Sequence, residues 1–116
     1  KKWNNYYKFD LNVEFLNQSS KEFCMGCDSH DVLLIKNPKK IIETFNNLNC
    51  DILFNAEKFF YPDVKNPEIQ KIKKFQFGLS DSPFKFLNSG AWIGKKEAAL
   101  RFFEEAKNYK IYEKQC

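Results

Sequence analysis

Apolar positions along the chain recur at two spacings, which predict an alternation of helices and short strands. Residues 3–16 carry a helical stripe, because their apolar groups return about every three to four positions. The polar residues 17–20 end this helix. Residues 23–27 and 51–55 are short apolar runs typical of buried strands, and a second helix begins at Pro38, since a first helical turn accepts proline. The apolar residues of the two helices are Trp3, Tyr6, Tyr7, Leu11, Phe15 and Leu16 in the first and Ile41, Ile42, Phe45 and Leu48 in the second.

The second half of the chain predicts a long loop, then two strands and a helix. Residues 56–83 contain three prolines and many polar side chains, so we expect an irregular segment that is either functional or poorly ordered. Residues 84–87 and 91–93 are short strands on either side of a turn at residues 88–90, and residues 95–109 form the last helix. The apolar face of that helix consists of Ala98, Ala99, Phe102, Phe103 and Ala106.

Strands that alternate with helices predict an α/β domain with a mostly parallel sheet flanked by helices. In such a sheet the ligand crevice lies beyond the carboxyl ends of the strands. Asp28, Glu57 and Asn88 each follow shortly after a predicted strand. We therefore expect these three side chains to lie along one rim of the sheet.

Length, composition and charge restrict the class of protein. A chain of 116 residues corresponds to one domain, and its 43% hydrophobic fraction is enough for one core. The net charge of +4 is spread among acidic residues, so the lysines predict a solvated surface and no nucleic-acid interface, although a mild positive excess suits a nucleotide diphosphate. No apolar run approaches the ~20 residues of a membrane span. The first residues lack the apolar stretch of a secretory signal, so we expect a soluble fragment whose compartment is open. Its oligomeric state is open as well.

Cys24 and Cys27 form a C-x-x-C pair, a pattern that is found in zinc and redox sites. A structural zinc site needs two more Cys or His ligands at compatible spacing, and only His30 and Cys50 are available. The pair also ends a strand-like run, in which residues three apart point to opposite faces. Buried core cysteines are therefore the favoured interpretation, and a metal or redox pair is the alternative.

Asp28 and Asp31 stand three residues apart in the segment CDSHDV, at a turn after the first strand. Carboxylates suit Mg²⁺ or Mn²⁺, which bind through a few such groups together with substrate phosphates. An ion held there would neutralise the charge that develops on a nucleoside-diphosphate leaving group. The same spacing also occurs in helix caps and ordinary turns, so it leaves both interpretations open.

Three segments in order, CDSHDV, FNAEKFFYPD and FKFLNSGAWIG, resemble the glycosyltransferase domain of the procollagen lysyl hydroxylases and the related family 25 glycosyltransferases. That family has a D-S-Y-D-V turn, an F-S-A-E segment followed by Cys-Trp-Pro, and a Y-L-N-S-G-G-F-I-G segment. The likeness extends from about Phe23 to the last helix and includes the intervals between the segments. It implies a GT-A-like (Rossmann-like) sheet, with residues 1–116 as a single, partial glycosyltransferase domain.

The resemblance implies roles for the residues of the first two segments. Asp28 and Asp31 match the family's metal- and nucleotide-binding pair, although His30 replaces the family's tyrosine between them. Glu57 matches an active-site glutamate. Tyr61 falls where the family carries a tryptophan in a mobile loop over the sugar pocket, and an aromatic ring there would stack on a sugar face.

The third segment supplies the remaining candidates. Asn88, Ser89 and Gly90 match the family's signature residues and would meet the donor sugar or the acceptor, with Asn88 joining Glu57 as a catalytic candidate. Taken without the resemblance, the same three residues predict only a turn. Ala91 replaces the family's second glycine.

The resemblance thus implies a glycosyltransferase that moves a hexose from a UDP-sugar to a hydroxyl acceptor, a hydroxylysine or a saccharide, with Mn²⁺ or Mg²⁺. The family's nucleotide-binding start, its acidic D-D-Q segment and its later metal-ligating histidine have no counterpart in these residues. The alternative is therefore a truncated or degenerate module that binds a sugar, a nucleotide or a partner protein without catalysis.

Overall fold

The computed structural model describes residues 7–109, in which helices and strands alternate as the sequence pattern predicts. The elements are α1 (Tyr7–Gln18), β1 (Phe23–Cys27), α2 (Pro38–Asn47), β2 (Ile52–Glu57), α3 (Pro67–Phe77), β3 (Phe86–Lys95) and α4 (Lys96–Ala106). Trp3 and Tyr6, which were assigned to the first predicted helix, lie outside the described residues. Among the helices of residues 7–109, none is both long enough and apolar enough to cross a membrane.

The three strands form one sheet in the order β1-β3-β2, with β3 in the centre. The N–H of Asp28 donates to the carbonyl of Gly90 at 2.7 Å, and the N–H of Lys96 donates to the carbonyl of Glu22 at 2.7 Å. The residue after β1 is therefore paired with an early residue of β3, and the residue before β1 with the residue after β3, which defines an antiparallel pair. The prediction of a mostly parallel sheet was wrong for this part of the chain.

β2 pairs with the other edge of β3 in the same antiparallel sense. The N–H of Lys95 donates to the carbonyl of Asp51 at 2.9 Å, and the two side chains form an ion pair at 2.7 Å. The hydrogen bond from Lys95 lowers the pKa of the Asp51 carboxyl group. Because both outer strands oppose β3, β1 and β2 run in the same direction without being neighbours. The segment between β2 and β3 contains a helix but returns the chain to the end of the sheet that it left, which helix–strand alternation does not reveal.

The segment of residues 56–83 is not irregular throughout, because it contains α3. The side chain of Asn66 accepts hydrogen bonds from the N–H groups of Glu68 and Ile69 at 2.9 and 3.3 Å, and Pro67 occupies the first helical turn. This is a typical helix start, since the cap satisfies amide donors that lack a partner within the helix. The prediction of a long loop was wrong because it treated the proline as a loop signal.

Residues 84–93 do not form two strands around a turn. A single strand, β3, runs through all of them from Phe86 onward and leads directly into α4. Gly90 has no positive φ angle, so it does not reverse the chain. Asn88, Ser89 and Gly90 thus lie within the central strand, where strand pairing fixes their positions.

The structure divides into two compact units, of which the first comprises the described parts of residues 1–26, 33–53 and 93–116. Its core contains Leu16 of α1, Phe45 of α2, and Ala99 and Phe103 of α4, all of them buried. α1 packs against α4, with the rings of Phe9 and Phe103 6.3 Å apart. Of the predicted apolar face of α4, Phe102 remains partly exposed.

The second unit comprises residues 27–32 and 54–92, and it holds all seven candidate site residues. Ile69 of α3 and Phe86 and Trp92 of β3 are its buried apolar side chains. The ring of Phe60 packs on Phe86 with a centroid distance of 5.4 Å. The Phe60 position is therefore used for aromatic packing.

The C-x-x-C pair does not converge. Cys24 is buried, whereas Cys27 is exposed, as expected for residues three apart on a strand. Within residues 7–109 no group of three or more Cys, His, Asp or Glu side chains is arranged to hold a metal ion. The alternative of a convergent zinc or redox pair at Cys24 and Cys27 is therefore not supported. The favoured interpretation of buried core cysteines is confirmed for Cys24 and wrong for Cys27.

Replacing Phe103 by alanine tests the core of the first unit. Its side chain is 1% exposed, so truncation leaves a cavity, and we expect a loss of about 3–5 kcal/mol in the free energy of unfolding. Phe75→Ala is the control, because this side chain is 67% exposed and its loss is expected to change stability by about 0.5 kcal/mol or less. Chemical denaturation of both variants measures the difference, and equal losses would contradict the assigned core.

Candidate functional site

Asp28 follows β1 directly and is held against the central strand. Its N–H donates to the carbonyl of Gly90 at 2.7 Å, so the two residues lie opposite each other in the sheet. Opposite residues of an antiparallel pair project from the same face. The Asp28 side chain is half-buried and lies on the face to which Gly90 contributes no side chain. The carboxylate is thereby brought close to the β3 backbone.

Asn88 is the second polar group on this face. Its Oδ1 accepts a hydrogen bond from the N–H of Gly90 at 2.6 Å. Because the backbone N–H can only donate, this bond also defines which end of the amide is oxygen. The NH₂ group of Asn88 has no partner within residues 7–109, so it offers two donors beside the Asp28 carboxylate.

Gly90 is required here for space. A Cβ atom built at this position would lie 2.7 Å from Asn88 Oδ1 and 3.0 Å from Asp28 Oδ2. Both distances are shorter than van der Waals contact, so the glycine lets the two polar side chains converge. The sequence predicts a flexible glycine in a turn, whereas in the structure Gly90 lies in a strand. The Hα atom in the place of its side chain faces Asn88 Oδ1 and Asp28 Oδ2.

Asp31 lies three residues further on, in the bend that follows β1. It is exposed and has no hydrogen bond or ion pair within residues 7–109, as is also true of His30. Two carboxylates on one short segment are a suitable oxygen donor set for Mg²⁺ or Mn²⁺. They fall short of the six ligands such an ion takes, so the remaining ligands would be water or substrate oxygens.

Glu57 ends β2 at the same end of the sheet. If the register of Asp51 opposite Lys95 continues, Glu57 lies opposite Ser89. Side chains alternate along a strand, which places Ser89 and Glu57 on the other face from Asn88. With that register, the predicted common rim would lie at one end of the sheet, with the candidates on two faces of it. The prediction placed Asn88 after the end of a parallel strand. In the structure, Asn88 reaches this end of the sheet because it lies near the start of the antiparallel strand β3.

Tyr61 lies in the loop after β2 and is 83% exposed, although its neighbours in the chain are held. On one side, Phe60 packs on Phe86. On the other side, the carboxylate of Asp63 accepts hydrogen bonds from Lys73 at 2.6 Å and from Gln70 at 3.0 Å. These bonds lower the pKa of the Asp63 carboxyl group, the one from Lys73 most.

These contacts could not be predicted from the sequence without a helix in this region. Asn66 followed by Pro67 is the signal that would have revealed α3. Once α3 is known, the spacing of Gln70 and Lys73 places both on one helical face. Their common partner, Asp63, still depends on how the loop folds back.

Substituting Gly90 by alanine tests the close approach of Asp28 and Asn88 to β3. The added methyl group must displace one of two side chains, so we expect a loss of about 1–3 kcal/mol in the free energy of unfolding. Gly78→Ala is the matched control, since its Cβ would meet its nearest atom at 3.6 Å, an ordinary contact. For that variant we expect a change of no more than about 1 kcal/mol. Denaturant titration decides, and a Gly90→Ala variant as stable as Gly78→Ala would refute the crowding.

Comparison with known proteins shows which family the chain belongs to. Residues 7–115 match the family model described as the PLOD GT domain. A procollagen-lysine,2-oxoglutarate 5-dioxygenase of Drosophila melanogaster is 35% identical over 71 residues, which are 58% of this chain and 8% of that protein. The multifunctional procollagen lysine hydroxylase and glycosyltransferase of Rattus norvegicus is 34% identical over 74 residues, 60% of this chain and 8% of the relative. An uncharacterised protein of Acanthamoeba polyphaga mimivirus is 27% identical over 73 residues, 61% of this chain and 14% of the relative.

The matched part of the chain therefore corresponds to a small part of the length of these relatives. The family model, in contrast, covers almost all of this chain. The match includes every candidate site residue, from Asp28 to Gly90. The chain belongs to the PLOD GT domain family, a family of glycosyltransferase domains.

Proposed function

We propose that this domain takes part in the transfer of a hexose from a UDP-sugar to a hydroxyl acceptor, with Mn²⁺ or Mg²⁺ bound at Asp28 and Asp31. The observation that carries the proposal is the convergence of Asp28 and Asn88 at Gly90, in a member of a glycosyltransferase-domain family. A carboxylate and a donor amide on one strand face suit a ligand that combines a metal-bound diphosphate with a sugar.

The proposed metal would be held by oxygen atoms alone. When bound, a divalent ion supplies positive charge against the leaving diphosphate. Asp28 contributes a carboxylate whose position is set by its backbone bond to Gly90. Asp31 contributes an exposed carboxylate without a protein partner within residues 7–109, so it can bind an ion without first breaking an ion pair.

The sugar and the acceptor would be met by the other candidates. Asn88 offers its amide donors to the sugar hydroxyl groups, and Ser89 offers a hydroxyl on the other face. Glu57 is the proposed catalytic carboxylate, because a carboxylate at the end of β2 can accept a proton or a hydrogen bond from an acceptor hydroxyl. Tyr61 presents an exposed ring on which a sugar face can stack. The acceptor is a hydroxyl group of a protein or of a glycan.

A second candidate function is binding without transfer. Residues 7–109 contain no group of three potential ligands that would hold a metal by themselves. A domain with too few metal ligands of its own can bind a nucleotide sugar and yet lack the electrostatic stabilisation that catalysis requires. Transfer and binding must therefore be measured separately.

The metal assignment is tested by calorimetric titration of the full-length protein with UDP in the presence of Mn²⁺. We expect Asp28→Asn and Asp31→Asn each to weaken UDP binding by at least about tenfold, since a lost charge-assisted contact costs roughly 1.5–3 kcal/mol. Asp81→Asn is the control, because Asp81 is an exposed carboxylate in the loop before β3. Unchanged binding in Asp31→Asn would rule out the metal assignment.

The catalytic assignment is tested with Glu57→Gln, which keeps the shape of the side chain and removes its charge. We expect UDP binding with Mn²⁺ to stay within about twofold, while the rate of hexose transfer falls by about 10²–10⁴, the usual contribution of a general base. Hexose release from the UDP-sugar, with and without acceptor, gives the rate. Wild-type protein that binds UDP-sugar but transfers no hexose would support the binding module instead.

A further inference from the structure

The loop that presents Tyr61 is attached on both sides of the ring. Phe60 packs edge-on against Phe86, with the centroids 5.4 Å apart and the planes inclined by 66°. Phe86 is buried in β3, two residues before Asn88. The residue before Tyr61 is therefore fixed to the strand that carries the candidate site.

The attachment on the other side comes from α3. Asp63 accepts hydrogen bonds from Lys73 Nζ at 2.6 Å and from Gln70 Nε2 at 3.0 Å. Gln70 Nε2 also donates to the carbonyl of Val64 at 2.8 Å, so one amide group holds two successive loop residues. The lowered pKa of Asp63 agrees with a carboxylate that is stabilised in its charged form.

Lys73 connects the two attachments. Its ammonium group bonds the carboxylate of Asp63 and lies 6.0 Å from the centroid of the Phe60 ring. That distance is at the limit of a cation–π contact. One charged group thus contacts the residue before Tyr61 and the residue two positions after it. Tyr61 itself remains 83% exposed, so the contacts hold the backbone and leave the ring accessible.

We propose that Lys73 is a positioning residue that orients Tyr61 toward the sugar of the bound UDP-sugar. This proposal rests on the proposed function, in which Tyr61 is a stacking surface for that sugar. Lys73 does not touch the substrate. It restricts the loop in the free protein, so less conformational freedom is lost when the sugar binds.

The expected effect is selective. An exposed ion pair contributes little to global stability, so removing it should leave the fold intact. The nucleotide and metal would be bound by Asp28 and Asp31, which Lys73 does not position. Loss of the Lys73 contacts should therefore weaken the binding of the sugar portion and spare the binding of UDP.

The experiment uses Lys73→Met in the full-length protein, a change that keeps an apolar stem and removes the ammonium group. UDP, UDP-glucose and UDP-galactose are titrated separately with Mn²⁺ present. For the UDP-sugar that binds wild type more tightly, we expect a three- to fivefold weaker affinity with UDP affinity unchanged, and Lys73→Arg should restore it. Lys71→Met is the matched control, because Lys71 lies on the same helix and, among residues 7–109, pairs only with Glu68 at 3.0 Å.

Two binding results for Lys73→Met would overturn the proposal. One is equal weakening of UDP and UDP-sugar, which would indicate a general structural role for Lys73. The other is no weakening of UDP-sugar binding in Lys73→Met although Tyr61→Ala weakens it. The double variant Lys73→Met/Tyr61→Ala should bind UDP-sugar as weakly as Tyr61→Ala alone, because Lys73 acts on the sugar only by positioning the Tyr61 ring.

Amide hydrogen exchange separates this proposal from the proposed function. Faster exchange across residues 60–66 in Lys73→Met, but not in Lys71→Met, supports the attachment even if UDP-sugar does not bind. Unchanged exchange overturns it. If Tyr61→Ala leaves UDP-sugar binding intact, the stacking role and the positioning role both fail, while the Asp31→Asn result still decides the metal site independently.

Discussion

Hydrogen bonding along both edges of β3 determines where the candidate residues lie. The pairing with β1 brings Asp28 opposite Gly90, and the pairing with β2 carries Glu57 to the same end of the sheet. Asn88 lies between them on the central strand. A shift of one residue in either register would turn the side chains to the other face, because the side-chain period of a strand is two. The same pairing also restricts the side chain at position 90 to glycine. Two polar side chains occupy the space where a Cβ atom of residue 90 would lie.

The acidic side chains of the described residues differ in whether they are paired with a cation. Several lysines of the described chain are already paired with acidic groups, as Lys95 is with Asp51 and Lys73 with Asp63. Asp31 has no such partner within residues 7–109. An exposed carboxylate without a cation costs little in water and remains available for a ligand. Asp63 of the second unit differs from Asp31, because its carboxylate accepts hydrogen bonds from Lys73 and Gln70 and holds a loop.

Several parts of the fold and site could be predicted from the sequence. The strands at residues 23–27 and 51–55 are present to within two residues, and the helix that begins at Pro38 is correct. The failures have identifiable causes. Asn66 and Pro67 each favour a loop by composition, although together they start a helix. Residues 88–90 favour a turn by their local N-S-G preference, although they lie within β3. Pairing on both edges overrides such a preference, because the strand gains hydrogen bonds that a turn would forgo.

The sequence by itself determined the family, the choice of candidate residues and most of the elements apart from α3 and the continuous β3, because these follow from local spacing and from motifs in order. It also determined that Cys24 and Cys27 diverge, since strand geometry is local. Only the tertiary structure decided that the sheet is antiparallel, that Gly90 provides space between Asp28 and Asn88, and that Lys73 reaches both sides of Tyr61. These features depend on contacts between residues far apart in the chain, and such contacts are not encoded in the periodicity of any single segment.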